Sequence, residues 1–398
     1  MNTPSHSTPP HQPVPHLSRG LLAILTMATG LAVANTYYNQ PMLGLFIRDF
    51  HAEPHTVAIM PFLCQIGYAI GLFFVSPLGD RFERKRLILT TLFGLTLALA
   101  GAALAPTLFW LGVFSLCLGI LTTVVQQLVP LSVHLAAPHE RGKVLGTVTA
   151  GLLGGILLAR TLSGYISDQL GWRSMFGIAA AVTLILIGIL GITLPRVPSV
   201  MQMSYGQILV SLFGLWRRFR ALRLAALNQA MMFACFSAFW TNLALEMRLQ
   251  PYNMGATEVG LMGLVGAVGA LAAPIAGRVA DRRGPQAVAT LAAFLVLISF
   301  VLFVAMPGSL VALIIGTVLM DLGVQSSLVS NQSSIYGLDL TARSRLNTVF
   351  MTTTFCGGAI GSAAGGYAFG MWGWTGTCSF AIACSAIALI ITRIKRSS

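Results

Sequence analysis

Apolar residues run on for about 20 positions at a time before short polar or basic stretches interrupt them, the length at which a helix crosses the hydrocarbon core of a bilayer. Runs of this kind predict twelve spans, at 20–46, 56–78, 86–105, 108–136, 144–167, 173–194, 222–247, 256–279, 287–306, 309–335, 345–370 and 374–392. The longest polar interval, 195–221, divides them six and six. The expected organisation is a disordered tail (1–18), a six-helix bundle (19–194), a linker (195–221), a second six-helix bundle (222–392) and a short tail (393–398). An all-α membrane protein is the expected fold class.

Composition agrees with lipid as the solvent. Only 9% of the 398 residues are charged and 56% are hydrophobic, with a mean hydropathy of +0.80; soluble chains carry roughly 25% charge. The net charge of +13 suggests nucleic acid until its placement is considered. With the N-terminus inside, all but four of the 24 Lys and Arg fall on the cytoplasmic side; Arg48, Arg173 and Arg248 lie opposite, and Arg160 lies within a span. That asymmetry predicts cytoplasmic termini and a multi-pass protein of the bacterial inner membrane. The first run is too long for a signal-peptide core and lacks a clear cleavage site. In the linker, Ile208–Trp216 followed by Arg217, Arg218 and Arg220 reads as a helix lying on the anionic leaflet. The six cysteines form no C-x-x-C pair, so neither metal nor disulfides are expected. With no nucleophile–base pair or phosphate loop in the sequence, neither an enzyme nor a cofactor is expected.

The two halves repeat each other at a nearly constant offset. Leu78-Gly79-Asp80-Arg81 matches Val279-Ala280-Asp281-Arg282, 201 positions on. Gly164-Tyr165, Gly171-Trp172 and Arg141-Gly142-Lys143 match Gly366-Tyr367, Gly373-Trp374 and Arg343-Ser344-Arg345, each 202 positions on. Parallel six-helix repeats place a binding site between the halves at the midplane, and rocking of the halves gives alternating access. A carboxylate at Asp80 or Asp281, beside the start of a helix in the other half, is favoured by about 0.3–1 kcal/mol and would hold the cytoplasmic side closed.

Ser76-Pro77-Leu78-Gly79-Asp80-Arg81-Phe82-Glu83-Arg84-Lys85 resembles the signature loop between the second and third helices of the major facilitator superfamily, and Gly277–Gly284 resembles its second-half copy. The first copy carries Ser76 and Glu83 where glycines are usual; the second keeps Gly277 and Gly284. The resemblance implies the major facilitator fold, two pseudo-symmetric six-helix bundles, secondary transport, and gating by Asp80, Arg81, Arg84, Asp281 and Arg282. Within the superfamily the chain is similar to twelve-spanner drug:proton antiporters. Their G-P-x-x-G-G pattern on the fifth helix is replaced here by Ala159-Arg160-Thr161-Leu162-Ser163-Gly164.

Ionisable groups at membrane depth are costly and are functional candidates. Of 11 acidic residues, Asp321 alone lies near the middle of a span, with Gln325 one turn on; it is the candidate for reversible protonation. Arg160, in the fifth span, has three open readings: it pairs with Asp321, grips an anionic cargo, or snorkels to the headgroups. The stretch Asn35–Pro41 holds too many amides and phenols to face lipid, with Pro41 expected to kink the helix. Asn35, Tyr38 and Asn39, with Gln65, Gln126, Gln127, Phe236, Trp240 and Asn242, therefore read as walls of an amphipathic cavity. The expected activity is proton-coupled efflux of small amphipathic organic compounds by a monomer, with import of a small organic anion as the competing reading and a transport-inactive sensor as a third.

Overall fold

A computed structural model describes residues 17–197, 204–270, 284–339 and 341–394. Every regular element among them is helical, as lipid demands of a chain that cannot leave backbone donors and acceptors unpaired. In order they are α1 (Arg19–Ala34), α2 (Leu43–Phe50), α3 (Pro54–Val57), α4 (Ile59–Phe74), α5 (Arg84–Ala103), α6 (Leu108–Thr122), α7 (Val125–Leu135), α8 (Arg141–Leu170), α9 (Trp172–Thr193), α10 (Tyr205–Arg218), α11 (Arg220–Glu246), α12 (Ala256–Ala270), α13 (Pro285–Ala305), α14 (Leu310–Tyr336) and α15 (Arg343–Arg393).

Nine stretches among the described residues are long and apolar enough to cross a membrane, against twelve expected. The shortfall has local causes. Arg19–Ala34 is apolar but short, the expected span 256–279 lies only in part within the described residues, and the last two expected spans run together as α15, interrupted by non-helical Trp372 and Gly373. Gly373 has φ +60 and its repeat partner Gly171 has φ +81; both need the left-handed freedom of glycine to reverse the chain. The same logic explains a departure in the duplicated loop. Gly284 has φ +83 and has to be glycine, whereas Glu83, one repeat earlier, has φ −59, which any L-residue adopts.

Helices of the first half pack through glycine. Gly30 on α1 meets Gly151 and Gly155 on α8, and Gly67 on α4 meets Gly119 on α6, the close backbone approach that small residues allow in membranes. Two seams join the halves: α8 lies against α12, and α4 lies against α15. The linker helix α10 begins with a capping box formed by Ser204 and Gln207. It buries Leu212 and Leu215 with Leu222, Leu346 and Phe350 of the second half, and Ile208 is buried as well. Tyr205 ties its start to the first half by donating to the Phe74 carbonyl at 2.7 Å.

On the side opposite the basic loops the halves meet through several polar contacts. Asp168, near the end of α8, accepts from the Ala256 and Thr257 amides at 3.3 and 2.6 Å and from the Thr257 hydroxyl at 2.6 Å. The carboxylate of one half thus caps the first turn of a helix in the other. Arg248 donates to the Gly44 carbonyl, and His55 at the start of the second span faces Gly370 on α15. This non-basic face is closed.

Candidate functional site

The eight residues 35–42 between α1 and α2 form successive turns rather than regular helix. Backbone bonds from Thr36 to Val33, Tyr37 to Ala34 and Gln40 to Tyr37 keep them partly paired. Pro41, lacking an N–H, belongs to this unwound stretch. The expected kink is thus a longer break, and it turns Tyr37 and Gln40 toward α8.

Arg160 is 4% exposed, which excludes snorkelling. Its Nε donates to Gln40 Oε1 at 2.8 Å. The guanidinium lies 4.7 Å from the Tyr37 ring centre, 5.5 Å from Phe236 and 4.1 Å from Trp240. Each such contact contributes about 0.5–2 kcal/mol, most when water is excluded. Asp321 on α14 is equally buried and stands close enough to Arg160 to feel its charge. The ion pairs among the described residues are Arg48–Asp49, His55–Glu53 and Arg173–Asp49; Arg160 and Asp321 do not make one. The Trp240 indole occupies the position between them, its face under the guanidinium and its N–H edge beside the carboxylate, short of a formed bond. Arg160 Nη2, Trp240 Nε1 and Asp321 Oδ2 are all buried without a hydrogen-bond partner.

These groups share the wall of a cavity of about 290 Å³ at the seam of α8, α11, α12 and α14. Its lining runs from Arg160 back to Ala150, roughly 15 Å along α8 at 1.5 Å per residue, toward the end of α8 that carries Arg141 and Lys143. The cavity therefore extends toward the basic face.

Of the residues expected at the site, Arg160, Phe236, Trp240, Asp321 and Gln325 are brought together on this cavity. The others line up nearby with mixed roles. Asn35 donates to the Leu31 and Ala32 carbonyls and Asn242 to the Ala238 carbonyl, while Asn35 Oδ1, Asn39 Oδ1 and Asn242 Oδ1 are buried without partners. Tyr38 is buried. Gln65 crosses the seam to the Ser237 hydroxyl at 3.3 Å, and Gln126 donates to the Tyr68 hydroxyl at 3.2 Å. Gln127 instead donates to the Ser76 carbonyl at 2.9 Å and so pins the end of the second span rather than lining the cavity. Arg81 is exposed on the basic face and Arg84 opens α5. The Asp80 side chain, Asp281 and Arg282 lie outside the described residues.

Tyr37 and Gln40 belong to the stretch expected to face the cavity but were not singled out within it, and the glycines of α12 were not expected at the site. Tyr37 and Gln40, rather than their neighbours, hold Arg160. On α12, Gly260, Gly263, Gly266 and Gly269 form a buried row. A Cβ at Gly263 would sit 3.1 Å from Arg160 Cβ, and one at Gly266 3.0 Å from Trp240 Cζ2 and against Asp321 Oδ2. Glycine every third residue was the signal that could have found this face.

A helical membrane protein with a buried, charge-bearing cavity at the seam of its two halves has the construction of a small-molecule transporter. The chain belongs to the Major Facilitator Superfamily, whose family model matches residues 25–335 and 225–397. It is a membrane transporter, not an enzyme. It is 39% identical over 383 residues to the uncharacterized transporter YgaY of Escherichia coli O157:H7, covering 95% of each chain. It is 34% identical to the probable transporter SCO4007 of Streptomyces coelicolor, over 95% of this chain and 88% of that one. A shorter match, 25% over 140 residues (34% of this chain, 35% of that one), is to the multi-drug resistance efflux pump PmrA of Streptococcus pneumoniae. Among solved structures, a bacterial homologue of the lysosomal transporter Spinster, in an inward-facing, unoccupied conformation, superposes with a TM-score of 0.74 at 15% identity, covering 93% of this chain and 94% of that one.

Proposed function

We propose that the protein exports small amphipathic organic compounds across a bacterial inner membrane in exchange for protons. The observation that carries this reading is Asp321, a carboxylate at mid-span in the wall of an otherwise largely apolar cavity, with one oxygen buried without a hydrogen-bond partner. A carboxylate there alternates between holding a proton and holding cargo. Both termini and the basic loops are cytoplasmic in this reading, as the Lys and Arg asymmetry supports; the closed, non-basic face is then periplasmic, and the cavity extends toward the cytoplasm. Six helices on each side of the linker rock about the two seams, with the cavity as the fixed site. One chain encloses the pathway, so it works as a monomer. The partial likeness to an efflux pump supports export.

The test is proton movement in everted vesicles, followed with a fluorescent pH probe against a broad panel of compounds. Compounds that discharge the gradient with the wild-type protein should fail to do so with Asp321→Asn. If the variant discharges it equally well, Asp321 is not the coupling group. A second reading, uptake of a small organic anion, is favoured by the unpartnered Arg160 Nη2. Organic-acid uptake lost in Arg160→Ala but kept in Asp321→Asn would replace export with import.

A further inference from the structure

We infer that the cavity is built for a small zwitterion with an apolar, preferably flat, body: a molecule of amino-acid type carrying one carboxylate and one ammonium. The inference rests on the reading of this cavity as the cargo site, but not on proton coupling.

Two opposite charges, Arg160 and Asp321, are buried in one wall without touching. The geometry explains why they stay apart. Trp240 lies between them, Gln40 and the rings of Tyr37 and Phe236 hold the guanidinium on its side, and Gly266 gives the carboxylate room on the other. A buried pair evolved only for stability would close into a hydrogen-bonded contact, because buried charges left unpaired are costly. Here each charge instead keeps an unused atom, Arg160 Nη2 and Asp321 Oδ2, and the indole N–H between them is unused as well.

Cargo of each charge type meets this wall differently. A simple anion pairs with Arg160 but faces the Asp321 carboxylate; a simple cation pairs with Asp321 but faces the guanidinium. A neutral molecule leaves both charges unsatisfied, at the cost of buried groups without partners. A zwitterion satisfies both with charge-assisted hydrogen bonds. The rest of the lining, including Phe236, Leu153, Ile156 and Leu157, accepts an apolar or aromatic side group. The volume of about 290 Å³ is at the lower edge of ligand pockets, roughly 300–1,000 Å³, and selects a small molecule.

The experiment is equilibrium binding to the full chain in lipid nanodiscs, using an isosteric set: phenylalanine and leucine as zwitterions, phenethylamine as the cation, 3-phenylpropionate as the anion and 2-phenylethanol as the neutral probe. Wild-type protein should bind a zwitterion at least about tenfold more tightly than any singly charged or neutral probe. Asp321→Asn should shift the preference to 3-phenylpropionate, and Arg160→Gln to phenethylamine. Trp240→Phe, which keeps the ring and removes the N–H, is the milder variant should either charge variant fail to fold; it should weaken zwitterion binding more than it weakens 2-phenylethanol binding. No saturable binding of either zwitterion, or a ranking set by one sign of charge or by apolarity alone, overturns the inference. So does a ranking that neither charge variant alters. Loss of proton coupling in the vesicle assay with this binding pattern intact would sink the export reading and leave the inference standing.

Discussion

At the scale of single residues, the decisive fact about Arg160 is that it is held by rings more than by acceptors. A planar guanidinium stacks on Trp240 and still donates in its own plane to Gln40, which an ammonium cannot do. Arg160→Lys should therefore behave like a loss rather than a conservative change, destabilising the protein by about 1–3 kcal/mol through a buried cation with too few acceptors. A thermal unfolding scan in detergent checks this: the midpoint should drop by several degrees, and an unchanged midpoint would show that charge alone matters at this position. The sequence placed Arg160 and Asp321 at depth, because apolar runs make any charge conspicuous. It left their relation open, since whether two side chains on different helices touch depends on what stands between them, here Trp240. The amides show the same limit. Gln126 and Gln127 are adjacent on α7, yet one meets Tyr68 and the other the backbone of Ser76; neighbours on a helix point about 100° apart, and only packing decides which faces the cavity.

Among the elements, α12 does two jobs that its composition hides. Its glycine row lets the helix lie close against Arg160 at Gly263 and against Trp240 and Asp321 at Gly266, so the missing side chains leave room for the indole that stands between the two charges. Gly266→Val would push into Trp240 and Asp321 and should cut cargo binding at least tenfold. Gly177→Val on α9, where an added Cβ meets nothing, should leave binding intact. Equal loss in both would mean that general helix packing, not the site, is being damaged. The other job is at the start of α12, where Asp168 of α8 caps the first turn across the seam. A cap of this kind contributes about 0.5–2 kcal/mol, and it exists only while the non-basic face is closed. Asp168→Ala should therefore shift the protein toward the state open on that face. In a background with the six native cysteines replaced, Thr257→Cys should then react several-fold faster with a membrane-impermeant maleimide applied from the non-basic side. An unchanged rate would make the contact incidental. Nothing in the local sequence marks Asp168, which reads as an ordinary residue at a span end until the partner helix is brought to it.

For the molecule as a whole, the duplication was the most legible feature, because it is written twice: Gly171 and Gly373 both carry a positive φ one repeat apart, and the seams α8–α12 and α4–α15 relate the halves. The span count was less legible. Unwinding at 35–42 shortens α1, and α15 runs through a break that periodicity placed as a loop. The state of the molecule was not legible at all, since it depends on contacts between residues far apart in the chain. Those contacts make alternating access directly testable. The Cβ of His55 lies 3.3 Å from where a Cβ at Gly370 would stand, close to the roughly 3.5–4.5 Å that a disulfide spans, and both positions are exposed. With the native cysteines replaced, His55→Cys with Gly370→Cys should cross-link on mild oxidation and tether the halves across the closed face. If the halves must separate there once per cycle, the oxidised protein should bind cargo from the basic side with unchanged affinity and transport none of it. A reductant should restore transport to the level of the uncross-linked variant. Transport that persists through complete cross-linking would mean that this face opens without parting α15 from the start of the second span, and rocking of whole halves would have to give way to movement of individual helices.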